Sequence, residues 1–403
     1  MQEILIIKQE NKKIIALIED TKLQEIYEEK ESRKRLEGNI YLGIIKDILP
    51  GMQAAFVDIG EDKKTFLHIK DLLPKVSNIT GNKNENLEKY NINDYAKKDM
   101  PILVQVKKDA TETKGAKIST DINIAGRFVA VIPNDKFITI SQKIEDEKEK
   151  ERLKQIAQNE IKNENIGCII RTAAEGKDEE DLKQDIQNTI KKWKEIKLEF
   201  DKLVCKKETK LTPKALFESD TIIEKILLDT IDNGVKKIFV DSDKIHEEIS
   251  NILDRINNEL KEQIEIVDKQ NLLTMYDLET QIEETKKRKI WLKCGGFITI
   301  DKTEALTAID VNSGKFTGKQ NLEQTILKVN EEASKEIAKQ LRLRDIGGII
   351  VIDYIDMHDE KSRKAVLETL TKELKKDRSK TQIIEFTKLD LLELTRKHMF
   401  SNE

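Results

Sequence analysis

The chain has 403 residues, 37% of them charged and 5% aromatic, with a net charge of −4. That length holds two to four domains with real cores, while the acidic balance excludes a uniformly basic nucleic-acid binder, so any such surface must be a local patch. No apolar run reaches the ~18 residues of a membrane span and no signal-peptide pattern opens the chain, which leads us to expect a cytoplasmic protein.

Residues 1–35 read as two strands, ILIIKQ (4–9) and KIIALIED (13–20), followed by a charged run that forms no core alone. Residues 36–120 fit a small β-barrel. Short strands over 40–48, 53–59, 65–69 and 102–107 are separated by Pro50-Gly51 and by a charged turn at Gly60–Lys64. A polar stretch around 76–98 reads as a long loop. This is the pattern of an OB-type S1 domain, a frequent binder of single-stranded RNA. Alternation puts Val57 and Ile59 on one strand face and Phe56 with Asp58 on the other; Leu67 and Ile69 likewise oppose Phe66 and His68. Aromatic rings on the polar side suit base stacking. They could equally cover the barrel.

Residues 121–215 contain a strand pair (126–132 and 167–171) and helices rich in Glu and Lys. Arg171-Thr172 ends a strand, where a guanidinium fork and a hydroxyl can grip a phosphate, or form an ion pair and a cap. Residues 216–280 alternate helix and strand: KIFV (237–240) and IEIV (264–267) flank a helical stretch over 243–262. The basic run Lys286-Lys287-Arg288-Lys289 then opens the last segment, as a phosphate-contacting patch or a soluble helix end.

Residues 281–403 carry the most informative pattern. In AIDVNSGKFTG (308–318) and RLRDIGGIIVIDYIDM (342–357), an apolar run ends in an aspartate, Asp310 and Asp353. A carboxylate closing a buried strand is costly unless paired, protonated or bound to a cation. Between the two, Leu322, Ile326, Val329, Ala333, Ile337 and Leu341 mark one helical face, and Gly347-Gly348 stop the helix. Strand, helix, strand favours a parallel pair with both C-termini at one sheet edge, so Asp310 and Asp353 can lie side by side where open sheets bind ligands. Asn312 can hydrogen-bond the same ligand. The alternative is a pair of turn or cap aspartates. Asp356 is a rival ligand that alternation turns to the other face. Arg342 and Arg344 precede the second strand as candidates for substrate contact, or as ion-pair partners of Glu331, Glu332 or Glu336.

The stretch WLKCGGFITIDKTEALTAIDVNSGKFTG (291–318), continued through LEQTILKVNEEASKEIAKQLRLRDIGGIIVIDYIDM (322–357), resembles the ribonuclease E/G family. The resemblance extends to GNIYLGIIKDILPGMQAAFVDIG (38–60) and IIRTAAEG (169–176). It implies an α+β multidomain chain. A ribonuclease-H-like scaffold (1–35 with 216–280) carries an inserted S1 barrel (36–120) and a 5′-sensor subdomain (121–215), and a DNase-I-like catalytic subdomain (281–403) follows. It further implies an endoribonuclease that cuts single-stranded RNA with one Mg²⁺ on Asp310 and Asp353, while Asn312 positions the reacting group. Phe56, Phe66 and Lys114 would contact RNA in the barrel. Arg171 and Thr172, with backbone at Gly126 and Ala130, would sense a 5′-monophosphate. A third sensor position, usually arginine, aligns with Lys380, which keeps the charge but not the bidentate fork.

Cys168, Cys205 and Cys294 with the four histidines show no zinc spacing, so zinc is not expected. The CxxC link and small domain that commonly follow in the family, and build its tetramer, do not occur before Glu403; a homodimer stays compatible with the chain. Two rival readings remain at this level: a non-catalytic S1-type RNA-binding protein, and a phosphodiesterase acting on DNA.

Overall fold

A computed structural model describes residues 2–30, 35–73, 90–110, 115–162, 164–205, 211–231, 235–256, 258–314 and 322–399. The molecule is mixed α+β and divides into two compact units, residues 33–232 and residues 1–32 with 233–402.

In the unit spanning 33–232, strands Ile40–Leu49, Ala54–Asp58, Thr65–His68, Lys117–Ser119 and Pro101–Lys108 pair in that order, and the last returns to the first. The ring is a closed five-stranded barrel. Its interior is apolar, with Ile45, Val57, Leu67, Val104 and Ile118 fully buried. Lys214–Phe217 adds to the outside of the Ile40–Leu49 strand. This unit continues to residue 232. The same unit holds a four-stranded sheet built on the expected strand pair, here Val129–Pro133 running antiparallel to Ile166–Ile170. Helices Glu147–Ile161 and Glu179–Cys205 contribute Leu153, Ile156, Leu182 and Ile186 to its core.

The other unit contains two sheets. In the first, Gln2–Gln9 pairs antiparallel with Lys12–Glu19 and parallel with Val235–Val240, so the N-terminal strands and the 235–266 region share one sheet. The charged run becomes a third strand, Lys22–Lys30. Leu23, Glu25 and Tyr27 point inward, and the buried Glu25 accepts a 2.6 Å hydrogen bond from the Tyr27 hydroxyl.

The second sheet positions the candidate site. Its strands run in the order Lys289–Trp291, Phe297–Lys302, Leu306–Asn312, Gly348–Asp353, Leu391–Arg396, Thr381–Phe386. Helices Leu322–Leu343 and Glu360–Leu374 cover one face, burying Ile298, Ile309, Ile350, Ile352, Val329, Ile337, Val366 and Leu370 in one cluster. Each such side chain contributes ~1.5–3 kcal/mol of apolar transfer. The opposite face is open: Ala308, Asp310, Asp353, Ile349 and Trp291 are exposed on it. The connecting helix ends at Leu343, ahead of the glycines, in a turn where Asp345 adopts φ +44°. Gly348, at φ +89°, then opens the strand in the left-handed region that glycine tolerates best.

Candidate functional site

The Leu306–Asn312 and Gly348–Asp353 strands are parallel, and their register sets Asp310 directly opposite Asp353. One interstrand spacing, about 4.8 Å, separates their backbones. This is the juxtaposition expected of strand, helix, strand. Both side chains lie on the open face. Asn312, two residues on and on the same face, donates from Nδ2 to Asp310 Oδ2 at 2.6 Å. Partial burial first, then the charges of Asp310 and Asp356, push the Asp353 carboxyl above the ordinary carboxylate range.

Asp356, in the loop beyond the strand, is the last of these causes. The strand ends at Asp353, and period two has no meaning in the loop beyond it. That loop is held by two buried helix residues that the sequence pattern does not single out. Asn330 donates to Ile355 O at 2.8 Å and accepts from Ile355 N at 3.2 Å, and Ser334 bonds the Tyr354 hydroxyl at 2.7 Å. The signal that marks them is a polar amide and a hydroxyl on the apolar helical face of Val329, Ala333 and Ile337.

The basic run 286–289 separates into three roles. Lys286 and Lys287 make ion pairs with Glu283 and Glu284 at the helix end. Arg288 forms a two-pronged bridge with Asp301 and feels the charge of Asp310. Lys289 turns to the open face. Arg344 donates to Gln340 Oε1 and Lys287 O, and Arg342 to Glu373 O; both tie elements together rather than standing on the open face.

Among the described residues, no cluster of three or more His, Cys, Asp or Glu has the geometry to hold a metal. A magnesium ion does not need one. It keeps most of its water and is held by one or two carboxylates, so a like-charged pair whose repulsion a cation relieves fits it.

In the barrel, Phe56 and Phe66 are register partners on the outer, half-buried side, their rings edge to face at 6.2 Å. Val57, Ile59, Leu67 and Ile69 fill the interior, as alternation requires. Burial first, then Lys70, lowers the His68 pKa. Lys114 lies outside the described residues; Lys117 is in register with Phe66 and bridges Asp71 at 3.0 Å.

Gly126, Ala130, Arg171 and Thr172 come together at one end of the four-stranded sheet. Arg171 N donates to Phe128 O, and Arg171 Nη1 donates to Gly126 O at 3.0 Å and Arg127 O at 3.3 Å. The Thr172 and Ser141 hydroxyls share a 2.8 Å hydrogen bond. Ala130 is buried between Ala125 and Ile169. Asp185, which no sequence pattern marks, accepts from the backbone N–H of Arg127, Phe128 and Val129 at 3.0, 2.8 and 3.1 Å. A Cβ at Gly126 would meet the Thr189 hydroxyl at 2.5 Å and that carboxylate at 2.6 Å, so a side chain there would displace one or both. Lys380 belongs to the other unit, where it is exposed and lines a shallow cavity of about 370 Å³ with Gln382 and Lys397.

No helix among the described residues is long and apolar enough to cross a membrane. A model of the Ribonuclease E/G family matches residues 123–399. The chain is 38% identical over 397 residues to "Ribonuclease G" of Escherichia coli K12, covering 96% of this chain and 80% of that protein. It is 37% identical over 388 residues to "Ribonuclease G" of Haemophilus influenzae, covering 96% and 77%. With "Ribonuclease E" of a Nostoc species it shares 35% identity over 370 residues, 91% of this chain and 52% of the other. Similarity of this extent, spanning barrel, four-stranded sheet and aspartate-bearing sheet alike, means that the chain belongs to the ribonuclease E/G family.

Proposed function

We propose that this endoribonuclease hydrolyses single-stranded RNA with one Mg²⁺ held by Asp310 and Asp353, prefers a 5′-monophosphorylated end, and serves RNA processing and decay. The observation that carries the reading is the parallel register that pairs the two aspartates on an open sheet face with Asn312 bonded to one of them. A bound Mg²⁺ would supply Lewis-acid charge neutralisation at the cleaved phosphate and lower the pKa of a water. Asn312 holds one Asp310 oxygen in place with one of its two amide protons and can offer the other to a phosphate oxygen. The Asn330 clamp on Ile355 and the Ser334–Tyr354 bond fix the loop that carries Asp356, and so the electrostatics at Asp353.

The subdomain assignments belong to this proposal: a ribonuclease-H-like scaffold for the five-stranded sheet and a DNase-I-like body for the six-stranded one. In the barrel the Phe56–Phe66 pair is the base-contacting face, assisted by Lys114. Replacing both by Ala is expected to weaken RNA affinity roughly 5- to 150-fold for each stacked base lost. An oligonucleotide titration by fluorescence anisotropy measures this, and unchanged affinity rejects the barrel face.

Arg171, Thr172, Gly126 and Ala130 form the sensor pocket. With Asp185 already accepting from three N–H groups of the turn, the phosphate has to be recognised by Arg171 and Thr172. Cleavage of 5′-phosphorylated over 5′-hydroxyl RNA is expected to be favoured, and Arg171→Ala to erase a ratio of roughly 10- to 150-fold, the worth of a charged hydrogen bond. Equal rates on both ends, measured with Mg²⁺ and with a chelator control, would remove the sensor reading. Matched RNA and DNA oligonucleotides in the same assay test the sugar requirement.

A further inference from the structure

We infer that Trp291 and Phe297, capped by Lys289, form a stacking platform for a base adjacent to the cleaved phosphodiester. This rests on reading Asp310 and Asp353 as the cleavage centre, because the register of their sheet is what puts the rings beside them. On the edge strand, Lys289 and Trp291 face outward while Ile290 packs against the core. Lys289 pairs with Thr299 and Trp291 with Phe297; Thr299 in turn pairs with Asp310, and Phe297 with Asn312. Two rows therefore cross the open face side by side. One runs Lys289, Thr299, Asp310, Asp353, the other Trp291, Phe297, Asn312. Two interstrand spacings, about 10 Å, separate Trp291 from Asn312.

The rings stand edge to face at 5.3 Å, and the Lys289 ammonium lies 4.2 Å from the Trp291 centroid and 3.5 Å from that of Phe297. Trp291 is 59% exposed, an indole left in solvent on a chain that is 37% charged. The local chemistry selects the occupant. A π-face suits a base, and the ammonium beside it suits the phosphate of the same nucleotide. An apolar side chain from a second copy would instead strip water from the Lys289 charge without pairing it, which is costly. The occupant is thus single-stranded RNA.

Trp193 is the other tryptophan, so Trp193→Phe leaves Trp291 as the single indole reporter. The full chain carrying Trp193→Phe and Asp310→Asn is titrated in chelator with a short unstructured RNA, following indole emission and, in parallel, anisotropy of a labelled RNA. Saturable quenching with the same midpoint as the anisotropy is expected. Trp291→Ala should then weaken binding roughly 5- to 150-fold, and an abasic RNA of the same length should bind both proteins alike. Full RNA binding without quenching overturns the platform. So does emission that tracks protein concentration rather than RNA, which would mark the face as an interface between copies. If Asp310→Asn still cleaves while Trp291 is quenched, the cleavage reading fails and the stacking surface stands.

Discussion

Asp310→Asn is expected to slow RNA cleavage about a thousandfold, close to the ~4 kcal/mol that removing a preorganised charge-stabilising group costs, while RNA affinity in chelator changes little. The same substitution should make the metal-free protein slightly more stable. Asp353 and Asp310 face each other across adjacent strands, and the Asp353 carboxyl sits above its usual range partly because of Asp310. Removing one charge of an opposed like-charged pair is worth about 0.5 kcal/mol. The sign with pH follows from the raised value. Ionising Asp353 costs stability in the fold, so the penalty is absent below the unfolded carboxylate range and fully present above the folded value. Metal-free wild type should therefore gain stability as pH falls through that window, and Asp310→Asn should gain less. Urea denaturation across the acid range, with and without Mg²⁺, measures both effects. Mg²⁺ should stabilise wild type by linkage and leave the variant unmoved. A variant that is destabilised and still responds to Mg²⁺ would reduce Asp310 to a structural residue.

How much of the fold and site is legible in the residues depends on whether each signal is local. The barrel strands alternate cleanly, so period two alone assigns Val57, Ile59, Leu67 and Ile69 inward, and they are buried. The helical spacing from Leu322 to Leu341 implies a crossover, hence a parallel pair and the Asp310–Asp353 register. Where a polar group replaces an apolar one at a core position, the pattern fails. Buried Glu25 breaks the alternation of the third N-terminal strand, whose inward positions are Leu23, Glu25 and Tyr27, because its carboxylate accepts from the Tyr27 hydroxyl and meets the Arg378 guanidinium at 3.7 Å, a partner that only the fold brings near. The partners of Asn330, Ser334 and Asp185 cannot be read from the sequence for the same reason, lying 20 to 58 residues away. The three-residue strand Lys289–Trp291 is too short to show a period, so the aromatic row beside Asn312 emerges only from the register.

Arg396→Met is expected to destabilise the aspartate-bearing unit by about 3–5 kcal/mol, the cost of leaving buried charge without its partner. The Arg396 side chain is 1% exposed and ties two other segments to its own strand. Its Nε donates to Asp377 Oδ2 at 2.8 Å, and its Nη1 to Asp345 Oδ1 at 2.7 Å and to Ile346 O at 2.9 Å. Asp345 lies in the turn between the long helix and the Gly348–Asp353 strand, so the network fixes where that strand begins and, five residues later, where Asp353 stands. Methionine fills a similar volume, so packing alone predicts a small change and electrostatics a large one. Adding Asp377→Asn to Arg396→Met removes one of the carboxylate charges that Arg396 neutralises and should recover part of the loss, whereas Asp377→Asn alone should weaken the protein. The non-additivity, read from urea midpoints of the four proteins, isolates the ion pair from the packing. Additive losses would mean that Arg396 acts by filling space, and the strand carrying Asp353 would then be held by its two neighbouring strands and by the burial of its own Ile350 and Ile352.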